Sequence, residues 1–333
     1  MTLAAAPLSV LDLAIVGRDE TAADALASAV TFAQRAEQLG YRRVWYAEHH
    51  NMASIASSAT SVLIAHVAAH TSTIRLGSGG IMLPNHTPLT IAEQFGTLAT
   101  LHPGRIDLGL GRAPGTDQNT MRALRRDERA ADTFPDDVLE LQAYLQGSSR
   151  IPGVEAVPGA GTDVPLYILG SSLFGAQLAA DLGLPYAFAS HFAPAALLDA
   201  VALYRQRFRP SSQLAEPYVM AAINVLAATE TDDAERQLLE VRRRRVARFV
   251  VATGRELTDD EADRILASPQ GRQLAHMMHY TAAGDPPTVA RRIEDFAAET
   301  GADEVVTVHA SPTGTERLRS LELLAGALAP AGS

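Results

Sequence analysis

The chain contains no cysteine, which excludes disulfides, thiolate metal sites and a cysteine nucleophile while leaving the compartment open. It has no apolar run long enough to span a bilayer. The first residues, MTLAAAPLSVLDLAIVG, lack the basic segment of a signal peptide and contain Asp12. A cytoplasmic protein with no membrane partner is therefore expected. Clustered positive charge is also scarce: a formal net charge of −10 argues against a nucleic-acid surface, which needs cations to replace phosphate counterions. The local exception is Arg242 to Arg245 within DDAERQLLEVRRRRVARF, where acidic residues precede basic ones by about one helical turn. That spacing predicts charge pairing along a solvated helix face.

What is present is material for a large core. Hydrophobic residues make up 47% and charged residues 20% of 333 positions, the balance of a soluble globular chain. Apolar, β-branched runs recur, each followed by a segment of helical periodicity. LSVLDLAIV (Leu8 to Val16) precedes TAADALASAVTFAQRAEQLG, where Leu26, Val30, Ala33 and Ala36 mark one face and Gly40 is the stop. Runs within RRVWYAEHH, STIRLGSGGIML and GRIDLGLGRA repeat the unit. Beyond a Gly/Pro-rich connection from Arg150 to Asp163, PLYILGSS, PYAFASHF, YVMAAINVLAA (Tyr218 to Ala228) and DEVVTVHA bring the count to eight.

Strands this uniformly apolar are buried on both faces, as parallel strands under crossover helices are. Eight such units predict one (β/α)8 TIM barrel over residues 1–333, with insertions in its βα loops; an open doubly wound sheet is the alternative. In a barrel the chemistry sits at the C-terminal ends of the strands. Polar or glycine-rich residues just after each strand are thus the candidates.

WYAEHHNM places Glu48, His49 and His50 after the second strand. Successive residues leaving a strand point to opposite sides, so the two histidines are poor joint ligands, and neither HExxH spacing nor cysteine completes a zinc site. No metal is expected. One histidine should enter the barrel mouth and the other should meet a neighbouring helix. A hydrogen-bonded rim turn is the bland alternative; position favours a single general acid or base.

LGSGGIMLP puts three glycines and a serine in the third strand, where a bulge or the close approach of something flat would require them. After the fourth strand, GLGRAPGTD supplies Arg112, placed to bind an anion or to pair with a nearby acid. In ILGSSLFGAQ, Ser171 and Ser172 either cap a helix or help present free amides to a phosphate. The segment has neither the lysine of a Walker A loop nor a G-x-G-x-x-G fingerprint. One phosphate beside glycine-softened strands points to a flat mononucleotide cofactor.

In this order, WYAEHHNM, GSGGIMLPNHTPLTIAEQFGTLATLHPGRIDLGLGRAPGTD, LYILGSSLFGAQLAADLGLPYAFASHF and GDPPTVARRIEDFAAETGADEVVTV resemble the bacterial luciferase-like monooxygenases, flavin enzymes of (β/α)8 fold. The resemblance covers nearly the whole chain and is weakest between about residues 230 and 280. It implies reduced FMN from a separate, transiently bound flavin reductase, O2, a flavin C4a-peroxide and oxygen transfer to a small organic substrate. It implies that His49 is the acid/base group and that a non-prolyl cis peptide joins Gly79 to Gly80. It matches Arg112 to an arginine at the cofactor, with Gly111 and Ala113 beside it, and Gly170, Ser171, Ser172 and Gly175 to a phosphate loop. Asp12, His49 and Gly79 follow or interrupt early strands and are expected to converge near the flavin ring. Glu48 is expected to orient a histidine or a loop amide.

Two departures accompany the resemblance. Gly111 stands where luciferase has a reactive cysteine, and an apolar residue near Phe134 replaces a second phosphate-binding arginine. Light emission is not implied, and weaker phosphate affinity suits a flavin that arrives reduced and leaves oxidised. SATSVLIAHVAAH and LTIAEQFGTLATL carry apolar residues over more than one stripe, and the resemblance points to a homodimer through them. The competing functions are hydride transfer with F420, whose acidic tail calls for a basic channel not visible after the strands, and flavin binding without turnover, which would have no need of His49.

Overall fold

The computed structural model describes residues 6–113, 116–250 and 257–329. The strands are β1 (Leu8–Asp12), β2 (Arg43–Tyr46), β3 (Arg75–Met82), β4 (Ile106–Gly111), β5 (Leu166–Gly170), β6 (Tyr186–Phe188), β7 (Val219–Ala227), β8 (Thr281–Gly284) and β9 (Glu304–His309). All pair in parallel, in the order β1-β2-β3-β4-β5-β6-β7-β9, and β9 returns to β1. The eight predicted strands therefore close a barrel.

The helices α1 (Ala22–Gln38), α2 (Thr60–Ala68), α3 (Pro88–Leu101), α4 (Gln118–Ala123), α5 (Phe134–Leu145) and α6 (Leu173–Leu182) follow the first five strands. The others are α7 (Leu197–Arg207), α8 (Thr231–Val250), α9 (Asp259–Leu266), α10 (Pro269–His276), α11 (Pro286–Thr300) and α12 (Gly314–Leu328). Among the described residues, no helix is long and apolar enough to cross a membrane. Helix α1 shows how local signals set the boundaries. Thr21 and Asp24 form a reciprocal capping box, and Gly40 just past the end has φ +78°, a conformation that glycine adopts without steric cost.

Two elements differ from expectation. The first strand ends at Asp12 instead of running to Val16, because the Asp12 side chain accepts from the Ala14 amide at 2.8 Å and Ala14 turns to φ +47°, a local bond that ends the ladder. Strand β8 was not expected: TAAG is short and alanine-rich, with little strand preference of its own. Tertiary context supplies it. β6 pairs with Val219 to Ala221 of β7, and β8 pairs with Asn224 to Ala227, beyond the point where β6 ends.

The outer core lies between strands and helices, while a smaller set including Leu11, Trp45, Tyr167, Met220 and Val306 fills the barrel interior. Beneath that set the barrel floor is ionic. Arg43 is 1% exposed; it pairs with Asp107 of β4 at 2.7 Å and Glu304 of β9 at 2.9 Å, and donates to the Tyr167 hydroxyl at 2.7 Å. Arg75 also pairs with Asp107. Burial opposes the Arg43 charge, but Asp107 and Glu304 outweigh it and raise its pKa further.

The face expected to dimerise is partly occupied within the chain. A Cβ on Gly96 of α3 would lie 2.1 Å from Gly159 Cα, so that small residue admits the Gly/Pro-rich connection. Val62 of α2 and Leu101 of α3 remain 67% and 64% exposed.

Candidate active site

Strand alternation builds the site. In β2 and the turn after it, Trp45, Ala47 and His49 face a cavity of about 700 Å³ at the C-terminal mouth of the barrel. The intervening residues face outward: the Tyr46 hydroxyl donates to Ala29 O at 3.2 Å, and Glu48 and His50 bond each other at 2.7 Å. As expected of one of the two histidines, His49 enters the barrel mouth, while His50 is held at the rim by Glu48.

Glu48, 1% exposed, holds the rim beneath His49. It accepts from the Met82 amide at 3.0 Å and bonds His86 at 2.9 Å as well as His50. Burial works against its ionisation, yet the bonds to His50 and His86, the His86 charge and the Met82 amide together pull its carboxyl down to about 2. Its bond to Glu48 raises the His50 pKa, partly opposed by burial.

The pH dependence follows from these signs. Glu48, depressed on folding, stabilises fully above its ordinary 4.5, and this is lost as pH falls toward the folded value. His50, raised on folding, stabilises fully below 6.5, and this is lost as pH rises through its higher folded value. The difference in melting temperature between the parent and Glu48→Gln should therefore peak between those two ordinary values and shrink on both sides. A difference that is flat with pH would show that the network contributes nothing.

Strand β3 carries a register shift between Ser78 and Ile81 against β4, and the Gly79–Gly80 peptide within it is cis. A Cβ on Gly80 would lie 2.7 Å from Gly109 O, and one on Gly79 would lie 2.7 Å from Leu11 Cδ1. Contact between β3 and β4 thus accounts for Gly80, while Gly79 leaves bare backbone at the cavity wall.

The same wall includes Gly111, Arg112, Ala113, Gly170, Ser171, Ser172 and Gly175. Ser172 occupies the N-cap position of α6 without a side-chain capping bond, so its hydroxyl does not occupy the first-turn amides. Gly175 lets the β5 and α6 backbones meet: a Cβ there would lie 3.4 Å from Gly170 Cα and 3.3 Å from Tyr186 Cε2. Arg112 lies over the Phe174 ring of α6 at 4.3 Å. Phe134, 1% exposed, stands on the wall near the expected position of a second arginine.

Asp12 is the exception among the expected cofactor contacts. Leu11 and Leu13 face the cavity, so alternation turns Asp12 the other way, onto a separate cavity of about 360 Å³ shared with Phe32, His309 and Arg317. Burial raises its pKa, with Arg317 and the Ala14 and Leu13 amides acting in opposition. It does not converge with His49.

Residues distant in sequence complete the mouth. His191 follows β6 and Asn224 lies within β7, and α8 contributes Val241, Arg244 and Arg245; Met277 and Met278 come from the segment before β8. Helix α8 is thus not simply a solvated face. Arg244 pairs with Glu240 one turn before it, as the charge pattern anticipates, but Arg243 pairs with Asp259 and Asp263 of α9, and both Arg244 and Arg245 line the cavity. Arg112, Arg244 and Arg245 also form the basic lining that reading along the chain did not find. The one signal for His191 was its place after a strand, in ASHF.

A barrel with a deep cavity at its strand C-termini, lined by an imidazole and by a glycine-rich loop at the start of α6, has the form of a barrel enzyme. The luciferase-like monooxygenase profile matches residues 8–304, and the chain belongs to that family, and so to the flavin-dependent monooxygenases. It is 47% identical over 317 residues to a luciferase-like monooxygenase of Escherichia coli strain K12, covering 95% of each chain. It is 36% identical over 257 residues to an N-acetyl-S-alkylcysteine monooxygenase of Bacillus subtilis, covering 75% of each. The crystal structure of apo-MsnO8 is similar, with TM-score 0.87 and 35% identity over 98% of this chain and 99% of that one. Two more distant structures share the fold alone: a diketocamphane monooxygenase in complex with FMN, at TM-score 0.72 and 16% identity, and an F420-dependent secondary alcohol dehydrogenase, at 0.71 and 18%. Each covers 98% of this chain, and this chain matches 98% and 100% of them respectively.

Proposed function

We propose that the protein is an FMN-dependent, two-component monooxygenase that oxygenates a small organic substrate, with reduced FMN delivered by a separate flavin reductase. The observation that carries this reading is the opening of three features onto one cavity: His49, the bare backbone at Gly79, and the Gly170 to Gly175 cradle with Arg112. When bound, reduced flavin supplies the electrons that activate O2.

The residues present fit such a group. The α6 amides and the Ser171 and Ser172 hydroxyls would hold its phosphate, assisted by Arg112, which makes no ion pair among the described residues. The Gly79–Gly80 backbone, with Leu11 and Trp45 behind it, would support a flat ring. His49 would give or take a proton at the substrate, in a cavity whose wall of Leu, Met, Val and Ala side chains limits access of water. Phe134 in place of a cation suits a cofactor that is held loosely and exchanged.

Hydride transfer with F420 is the second reading, favoured by Arg244 and Arg245 on the same wall. Mixing the protein separately with reduced FMN and reduced F420, then admitting air while recording absorbance, distinguishes them. Protein-dependent oxidation kinetics are expected with FMN only; the reverse result would replace the oxygenase reading. The proposal extends to a homodimer through α2 and α3, supported by exposed Val62 and Leu101. Sedimentation at micromolar concentration should give a dimer, and a monomer would defeat that part.

A further inference from the structure

We propose that the recess between β1, β9, α1 and the start of α12 is a second binding site, which takes a small uncharged polyol and uses one of its hydroxyls to bridge Asp12 and His309. The recess has a volume of about 360 Å³. It is separate from the cavity at the barrel mouth, so the inference goes beyond the oxygenase reading and does not depend on it.

Strand register brings the two groups together. β1 and β9 pair in parallel with Val10 beside Thr307. Continuing that register by one two-residue repeat sets Asp12 beside His309 on the outer face of the barrel, on strands roughly 4.8 Å apart. Both side chains line the recess, yet no hydrogen bond joins them. Asp12 Oδ1 accepts from the Ala14 amide at 2.8 Å. His309 is 5% exposed; its Nδ1 lies 2.9 Å from Ser320 Oγ, and its Nε2 is buried without a hydrogen-bond partner. Ser320 Oγ already accepts from the Ala227 amide at 3.0 Å, so its own proton goes to Nδ1 and the neutral ring carries its proton on Nε2. Burial keeps the ring neutral by lowering its pKa to about 3. A donor and an acceptor thus stand side by side unjoined, an arrangement that costs stability until something completes it.

The surrounding charges select what completes it. An anion would meet the Asp12 carboxylate. A cation would leave the Nε2 proton without an acceptor and would face Arg317, which lines the same recess and is held there by Ile15 O at 2.9 Å and Glu20 at 3.6 Å. A hydroxyl accepts from Nε2 and donates to Asp12 at once. Further hydroxyls of the same molecule would meet those of Ser28, Thr31 and Thr315, while Ala29, Phe32 and Leu318 give an apolar wall for its carbon chain. Phe32 also braces the imidazole edge-on, with ring centroids 5.7 Å apart. Asp24, Ala27 and Thr31, on the α1 side of the recess, are exposed, which opens it to solvent.

Spectra of protein labelled with ¹⁵N at histidine read the His309 ring directly, once its signal is assigned by correlation to its own backbone amide. They should show the proton on Nε2, with a shift that saturates on titration with xylitol. Pentylammonium and pentanoate should need at least about tenfold higher concentrations, and Asp12→Asn, which keeps an oxygen for the Ala14 amide, should weaken xylitol by a similar factor, the scale of one lost charge-assisted hydrogen bond. A ring protonated on Nδ1, the absence of a saturable shift with xylitol, or a response to either ion at equal or lower concentration overturns the proposal in the parent protein, whether or not the variant folds. Unchanged xylitol affinity in Asp12→Asn also overturns it, by removing the carboxylate from the site.

Discussion

Replacing His49 by alanine is expected to leave reduced-flavin binding nearly intact while slowing substrate oxidation by roughly two to four orders of magnitude, the usual effect of a lost general acid or base. The expectation rests on position. His49 is the residue of the Glu48, His49, His50 run that lines the cavity, while its neighbours are tied to each other and to the Met82 amide. Glu48→Gln should cost less, because that carboxylate acts through the rim. If His49 only supports the rim, binding and stability would fall together with no separate effect on the oxidation step. Stopped-flow traces of both variants decide: an unchanged oxidation step in His49→Ala means the assignment is wrong.

The second large effect is expected on stability. Arg43→Met should destabilise the fold by about 3–5 kcal/mol, the scale for removing one partner of a buried ion pair. The methionine would fill much of the space, but Asp107 and Glu304, both 0% exposed, would lose the cation they share. Arg43→Lys keeps a charge without the planar fork that spans two carboxylates and should fall in between. Urea denaturation measures both variants. A loss below about 1 kcal/mol for Arg43→Met, the range of exposed pairs, would show that the floor network relaxes freely.

The charged floor also explains a limit of reading along the chain. Arg43, Asp107 and Glu304 sit at or near the starts of three strands that otherwise read as apolar. In sequence they resemble ordinary polar residues at strand boundaries. Only closure of the barrel, which brings β2, β4 and β9 around one axis, turns them into a buried cluster. His191 and Arg245 were obscured for the same reason, since they lie 54 residues apart, on different elements.

Local periodicity determined a great deal: eight apolar runs with helices between them, the alternation that separates His49 from His50, and the glycines at β3 and at the α6 cradle. These follow from short-range geometry, two residues per strand repeat and 3.6 per helical turn, which a chain expresses wherever it folds. Tertiary structure decided the rest. Helices α1 and α12 closed around Asp12, which faces them instead of the cavity. The open edge of β7 recruited TAAG as β8. Packing of α8 over the mouth moved two of four consecutive arginines from an expected solvated face to the cavity wall. Each of these outcomes depends on a partner far away in sequence, and no local preference encodes where that partner will be.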